Sequence, residues 1–281
     1  MFGNIKKRIE IKVLKASKFL YQDILLRNSK AKTIIMIVGC QRSGTTMLSG
    51  IFEKDWKIKN FSEKSILSSS DPKRLRLDPL PEVLKKMHRT NAPVVALKPL
   101  VESQNTVKLL DYFKNSKAIW VFRNYKDVAA SNLKKFGRNN GMNNLRPLIE
   151  NKPGNWRSDK VSEKTRAVVN QFFSEDMVQE DAAALFWYCR NILFFEQDLQ
   201  SNKRVLLCKY EDLVTHPKTI VKEIYSFSAV HDLPEKIISG IHAGSISKGK
   251  NVKLSPEIDH LCESLYNKIN AVYTEKTKLN N

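Results

Sequence analysis

The sequence predicts an α/β fold, a single domain with a central parallel β-sheet flanked by helices. Three observations carry that expectation. Short apolar, β-branched runs alternate with segments of helical spacing along the chain, the order of strands joined by crossover helices. Those runs are apolar throughout instead of alternating with polar residues, so both faces of the sheet should be covered. The first run ends in a glycine-bearing loop that opens a helix, Gly39-Cys-Gln-Arg-Ser-Gly44-Thr45-Thr46.

Taken in order, Thr33 to Val38 is a β-branched run ending in Gly39 and reads as a buried strand. Gly44 opens a helix through about Lys54. Val94 to Leu97 is a second short strand, and Gln104 to Phe113 has helical spacing. Ala118 to Phe122 is a third strand, followed by a helix from about Lys126 to Lys135. Residues 137–180 are rich in Asn, Gly, Pro and charge and contain no clean strand, the composition of a lid, an insertion or a surface excursion. Residues 182–199 form a strongly apolar helix suited to core packing, with pocket lining as the second use of its aromatics. Arg204 to Cys208 is a fourth strand, with a helix after Pro217 and a last one starting near Pro256.

Residues 1–32 precede this domain, which runs from 33 to 281. They carry nine Lys or Arg and two acids, with Ile5, Ile9, Val13, Ala16, Phe19, Leu20 and Ile24 at three- and four-residue steps. That is a basic amphipathic helix, lying on an anionic membrane face or packed on the domain with its lysines solvated.

Across all 281 residues, 48 Lys and Arg against 29 Asp and Glu leave a net charge of +19. With 42% hydrophobic residues, the chain is neither disordered nor a disulfide-stapled miniprotein. A surface of this charge attracts nucleic acid, acidic lipid, acidic glycan or a phosphorylated cofactor. Cys40, Cys189, Cys208 and Cys262 are widely spaced, with no CxxC, which suits a reducing compartment and no disulfide framework. No apolar run is long enough to span a bilayer, and Lys and Arg interrupt every apolar core before residue 33. The expectation is a soluble, cytoplasmic protein, with peripheral membrane contact through residues 1–32 as an option. His216, His231, His242 and His260 lack metal-ligand spacing, and no metal is expected.

The loop from Gly39 to Thr46 has the length and glycine placement of a phosphate-binding P-loop, GxxxxGK[ST], except that Thr45 occupies the lysine position. Loop amides and the helix N-terminus would still cradle an anion. Without a lysine to bridge β- and γ-phosphates, ordinary nucleoside triphosphate hydrolysis is disfavoured. A cation, Arg42, stands two residues before the second glycine instead. Cys40, close to the helix start, could have a lowered pKa or be a small buried residue.

The run Gln41-Arg-Ser-Gly-Thr-Thr-Met-Leu48 resembles the 5′-phosphosulfate loop of sulfotransferases that use PAPS, 3′-phosphoadenosine 5′-phosphosulfate. The segment Ala118-Ile-Trp-Val-Phe-Arg-Asn-Tyr-Lys-Asp-Val-Ala-Ala-Ser131 resembles the family's 3′-phosphate motif, a strand followed by R-[ND]-P-x-D-x-x-x-S, with Tyr125 at the usual proline. Lys209-Tyr-Glu-Asp-Leu213 resembles its YEDL stretch, and the motifs occur in the family's order over roughly residues 33–250. The resemblance implies a P-loop NTPase-like sulfotransferase fold and transfer of a sulfuryl group from PAPS to a hydroxyl or amine, with PAP as leaving group.

The resemblance also implies roles. Arg42, Ser43, Gly44, Thr45 and Thr46 would bind the phosphosulfate, Arg123 and Ser131 the 3′ phosphate, and Tyr210 would stack near the adenine. Arg123 alone could equally be read as an ion pair with Asp127, while Glu211 and Asp212 suit a turn cap. Lys248 and Lys250 lie in Ser245-Ile-Ser-Lys-Gly-Lys250, like a basic loop that some members close over the 3′ phosphate. Arg42 and Lys98 would meet the charge on the leaving oxygen. Cytosolic members place a histidine shortly after the lysine that Lys98 matches, and this chain reads Lys98-Pro-Leu-Val-Glu-Ser. Tyrosyl-protein and carbohydrate members instead use a glutamate some twenty residues beyond the loop. Glu63, 21 residues after Arg42, fits that placement as the general base. Glu102 and His88 compete with it, as does the absence of a dedicated base.

The acceptor would be a glycan, a lipid-linked molecule or a small metabolite, its site shaped by residues 60–90, by 137–180 as an acceptor-binding lid, and by the helix after 182. The alternatives are a P-loop nucleotide kinase or NTPase, and a basic nucleic-acid-binding protein. Thr45 argues against the first, and the absence of zinc-finger spacing or an RNP-like motif against the second.

Overall fold

Thr33–Gly39 forms β1, and its side chains divide by parity, as a strand buried on both faces requires. Ile34, Met36 and Val38 enter one apolar layer, and Ile35 and Ile37 enter the other. Around it the computed structural model places β2 (Ile58–Phe61), β3 (Val94–Leu97), β4 (Ser116–Phe122) and β5 (Val205–Lys209). The order is β2-β3-β1-β4-β5, with every pair parallel. Residues 13, 16–24, 26, 32–230 and 233–279 are described. The other positions of the proposed N-terminal helix, and His231, lie outside the described residues.

The helices are α1 (residues 16–24), α2 (Thr45–Lys54), α3 (Leu80–His88), α4 (Thr106–Tyr112), α5 (Tyr125–Phe136), α6 (Asn140–Ile149), α7 (Glu163–Phe172), α8 (Gln179–Glu196), α9 (Tyr210–Thr215), α10 (Pro217–Phe227) and α11 (Pro256–Leu279). Helices α2 and α10 cover one face of the sheet with Leu48, Ile51, Phe52, Ile220, Val221 and Ile224. Helices α5, α8 and α11 cover the other, where Trp187 and Phe194 pack beside Trp120 and Phe122. The α/β single-domain expectation therefore holds, with helices on both faces of a parallel sheet.

Two parts differ from the sequence reading. Strand β2 was not expected, because Ile58-Lys-Asn-Phe61 is short and only its two end residues are buried. Residues 137–180 contain α6 and α7, whose Met142, Leu145, Leu148 and Val169 pack against Ala182, Leu185 and Phe186 of α8. The polar composition hid that face, since only about one residue per turn is apolar.

Helix α1 also departs from the expected packing. Its Lys18 and Gln22 are the buried residues, donating to Glu53 O at 2.7 Å and Trp56 O at 3.0 Å, whereas Leu20 and Ile24 are exposed.

Because β3 and β2 lie to one side of β1 and β4 and β5 to the other, the chain reverses direction across the sheet at β1. In open parallel sheets the crevice beyond the carboxyl ends of the strands at such a point is where ligands bind.

Candidate active site

Every strand hands at least one candidate residue to that crevice. Glu63 follows β2, Lys98 follows β3, Arg42 to Thr46 follow β1, Arg123 follows β4 and Tyr210 follows β5. Parallel strands present all their carboxyl ends at one edge, so residues 147 positions apart at the extremes, 63 and 210, become neighbours of one loop.

The loop after β1 is held tightly. Arg42 adopts φ 67°, a left-handed conformation that a residue with a side chain rarely keeps without support. Its Nε donates to Ser131 Oγ at 3.1 Å, and its guanidinium lies 5.9 Å from the Phe136 ring. Gly44, at φ 99°, starts α2, and a Cβ there would stand 2.2 Å from the Tyr210 ring. Only glycine lets that ring approach the loop. The first amides of α2 lack acceptors one turn earlier and are free for an anion.

Arg42, Gly44, Thr45, Thr46, Arg123, Ser131, Tyr210 and Lys248 all line one cavity of about 670 Å³. Met47, Ala130, Lys134, Lys135 and Ser245 complete its wall, and no carboxylate does so among the described residues. Burial first, and then repulsion from Arg123, act against the charge of Arg42 and lower its pKa. A bound anion relieves both. Ser43 is fully buried beneath the loop and lines no cavity wall, and Lys250 is exposed outside it.

Arg123 makes the ion pair that its neighbours suggested. It is 4% exposed, and its Nη2 stands 3.1 Å from Asp127 Oδ2, while its plane lies 4.4 Å from the Tyr210 ring. Its Nε is buried without a partner. Asp127 in turn accepts from Ser247 N at 3.0 Å and Gly249 N at 2.6 Å, and Arg123 donates to Ser245 O. The loop over residues 245–250 is thus tied to the start of α5 by backbone bonds. Asn124 caps that helix, accepting from Lys126 N at 3.0 Å. Tyr125, where related motifs carry proline, donates to Asp259 Oδ1 at 2.5 Å and is packed against Trp187.

Glu63, Lys98 and Thr46 form a chain at the opposite end of the loop. Lys98 Nζ donates to Thr46 Oγ1 at 3.0 Å and pairs with Glu63 Oε2 at 3.1 Å. Asn60 of β2 donates to Ser49 Oγ of α2 at 3.0 Å, which fixes the strand that carries Glu63. Glu102 is committed elsewhere, pairing with Arg76 at 2.8 Å and accepting from Asn105 at 2.7 Å. His88 is exposed at the end of α3. Glu211 accepts from Asn124 N at 3.0 Å. Tyr210 is 3% exposed between Gly44 and Arg123.

Cys40 is not activated by the helix start. Burial pushes its thiol up to about 12, with Arg190 pulling weakly the other way. All four cysteines are free and buried. No group of three or more metal-ligating side chains occurs among the described residues. Sequence reasoning missed Lys134, Lys135 and the clamp at Asp127. Helical spacing was the available signal, because Lys134 and Lys135 stand three and four residues beyond Ser131 and share its face.

A parallel sheet with a phosphate-type loop at its switch point, a threonine in place of the loop lysine and a cation-lined cavity define a P-loop-like fold. Residues 32–276 match the family model described as the sulfotransferase domain, and the chain belongs to that family of transferases. Among solved structures, it is similar to the sulfotransferase domain of the Synechococcus PCC 7002 olefin synthase, at 15% identity and TM-score 0.53, over 85% of this chain and 96% of that one. It is also similar to the sulfotransferase domain of the curacin biosynthetic pathway, at 15% identity and TM-score 0.48, over 85% and 99%. A mouse sulfotransferase, SULT7A1, complexed with PAP, matches at 18% identity and TM-score 0.43, over 84% of each chain. No curated protein matches the chain.

Proposed function

We propose that this protein transfers a sulfuryl group from PAPS to a hydroxyl, or an amine, of its acceptor and releases PAP. The observation that carries the reading is the single cavity that gathers Arg42, Arg123, Lys248 and Ser131 against the loop amides, beside the Glu63–Lys98–Thr46 chain. The residues fit such a donor. About 670 Å³ is room for a nucleotide, the wall is cationic, and the buried Arg123 Nε has no protein acceptor.

PAPS supplies an activated sulfuryl group, and the bond that breaks is the one joining sulfur to the bridging oxygen of the 5′ phosphate. Arg123 and Ser131, with Lys248, hold the 3′ phosphate. The amides of Gly44, Thr45 and Thr46, with Arg42, hold the 5′ end. Lys98 stands against the charge that develops on the leaving oxygen, where a fixed cation is most effective. Glu63 takes the acceptor's hydroxyl proton. Its use as the base, with no histidine near Lys98, aligns the chain with the carbohydrate and tyrosyl-protein branch. Four free, buried cysteines support a reducing, cytoplasmic setting.

The test is calorimetric titration of PAP into the purified protein, with ATP as competitor. Tight binding indifferent to ATP is expected. Arg123→Ala should weaken it by about 10- to 100-fold, the range of a charge-assisted hydrogen bond. A folded sample that ignores PAP, or binds ATP in preference, defeats the reading. Turnover of labelled PAPS with candidate acceptors then identifies the class of acceptor.

A further inference from the structure

We propose that the face formed by α1 and the edge of β2 docks on an anionic lipid surface. The observation is an inverted helix. At 3.6 residues per turn, Leu20 and Ile24 fall on one side and Lys18 and Gln22 on the other. The polar side is the one turned to the protein. Lys18 and Gln22 are 8% and 3% exposed and bond to the carbonyls of Glu53, Trp56 and Ile58. Val13, Leu20 and Ile24 are 57%, 56% and 68% exposed. A helix packed only for stability would bury its apolar stripe. This one spends its polar groups on the domain and leaves the stripe unpartnered among the described residues.

The surroundings extend the patch. Phe19 and Ile66, both at least half exposed, line a hollow of about 430 Å³ beside the helix, and the exposed Trp56 packs edge-on against Tyr21 at 5.4 Å. Phe19, Leu20, Ile24, Trp56 and Ile66, five of the nine large apolar side chains exposed among the described residues, thus lie on or beside α1. Lys59, Lys64, Arg74 and Arg89 rim the hollow, against a single acid, Asp23.

The charge selects the occupant. A second copy of the chain would bring this basic rim against another like it, and a neutral apolar partner would leave the cations unused. A bilayer with acidic headgroups meets both requirements, taking the stripe into its interfacial region while the lysines and arginines meet phosphates. Glu63 lies next to Lys64 in the turn that follows β2, so docking would hold the proposed catalytic end near the lipid surface. The inference does not depend on the identity of the donor or acceptor.

The experiment is co-sedimentation of the full chain with vesicles of phosphatidylcholine alone or mixed with phosphatidylglycerol in equal parts. Binding to the mixed vesicles and not to the neutral ones is expected. Leu20→Asn combined with Ile24→Asn should weaken it by about 100-fold, and Lys64→Ala combined with Arg89→Ala by about tenfold. Both variants alter exposed side chains, and an unchanged unfolding midpoint establishes that they fold. Failure to bind the mixed vesicles, or binding that the folded helix variant leaves intact, overturns the proposal. So does a lipid-free dimer, seen by sedimentation velocity, that the helix variant dissociates.

Discussion

Lys98 Nζ sits about equally far from Thr46 and Glu63, at 3.0 and 3.1 Å. A carboxylate in that position can take a proton only while the lysine keeps it close to the reacting oxygen, so the two side chains act together. Glu63→Gln is expected to lower kcat by about 10²- to 10⁴-fold, the usual contribution of a positioned base. PAP affinity should stay within about twofold, because Glu63 lies outside the cavity wall and its removal leaves those cations in place. Steady-state kinetics beside calorimetry separates the two, and an unchanged kcat would hand the proton to another group. At this scale Glu63 came from the family resemblance, its place 21 residues after Arg42 matching that of a glutamate in some members. The sequence had no means of showing that Glu102, an equal candidate as a residue type, is occupied by Arg76 and Asn105. Occupancy is a property of neighbours brought from elsewhere in the chain.

Helix α5 and the loop over residues 245–250 behave as one element. Asp127, in the first turn of the helix, collects two loop amides and the Arg123 side chain, so the loop's Lys248 reaches the cavity on a backbone that is already held. Gly249 makes the contact feasible, since a Cβ there would lie 2.3 Å from Lys126 C and 2.5 Å from Asp127 N. Gly249→Ala should therefore lift the loop and weaken PAP binding by about tenfold, equivalent to about 1.4 kcal/mol. Limited proteolysis within residues 245–250 should quicken in the same variant. An unchanged affinity would mean that the loop contributes nothing to the ligand site. The basic residues of this loop were visible in the sequence, and the clamp was not. Asp127 read as a local partner of Arg123 four residues before it, while its loop partners lie 120 and 122 positions away. For the same reason β2 was missed, because a short edge strand is defined by the register it makes with β3 and not by its own residues.

Across the whole molecule, ligand binding and folding are linked, since the cavity exists only when the ends of β1, β4 and β5 and the loop over residues 245–250 are assembled. PAP at about 100 times its Kd should stabilise the native state by about 2.7 kcal/mol. For a chain of this size that is a rise of about 5 °C in Tm, readable by scanning calorimetry. ATP at the same concentration should leave Tm nearly unchanged, and an equal rise with ATP would favour the NTPase reading over the sulfotransferase one.

The sequence by itself determined the local chemistry of this protein. The β-branched runs, the glycine loop with threonine at its lysine position, and the strand ending in Arg123 with Ser131 beyond it are contiguous patterns, set by backbone sterics and periodicity within a few residues. It also determined the basic character, which is a sum over residues and needs no fold. Tertiary structure decided the order of strands, and with it that Glu63, Lys98, the loop, Arg123 and Tyr210 stand side by side. It decided as well which face of α1 meets the domain, against the helix's own apolar periodicity. Both outcomes rest on pairings between segments tens of residues apart, and the energy of such a pairing is written in neither segment alone.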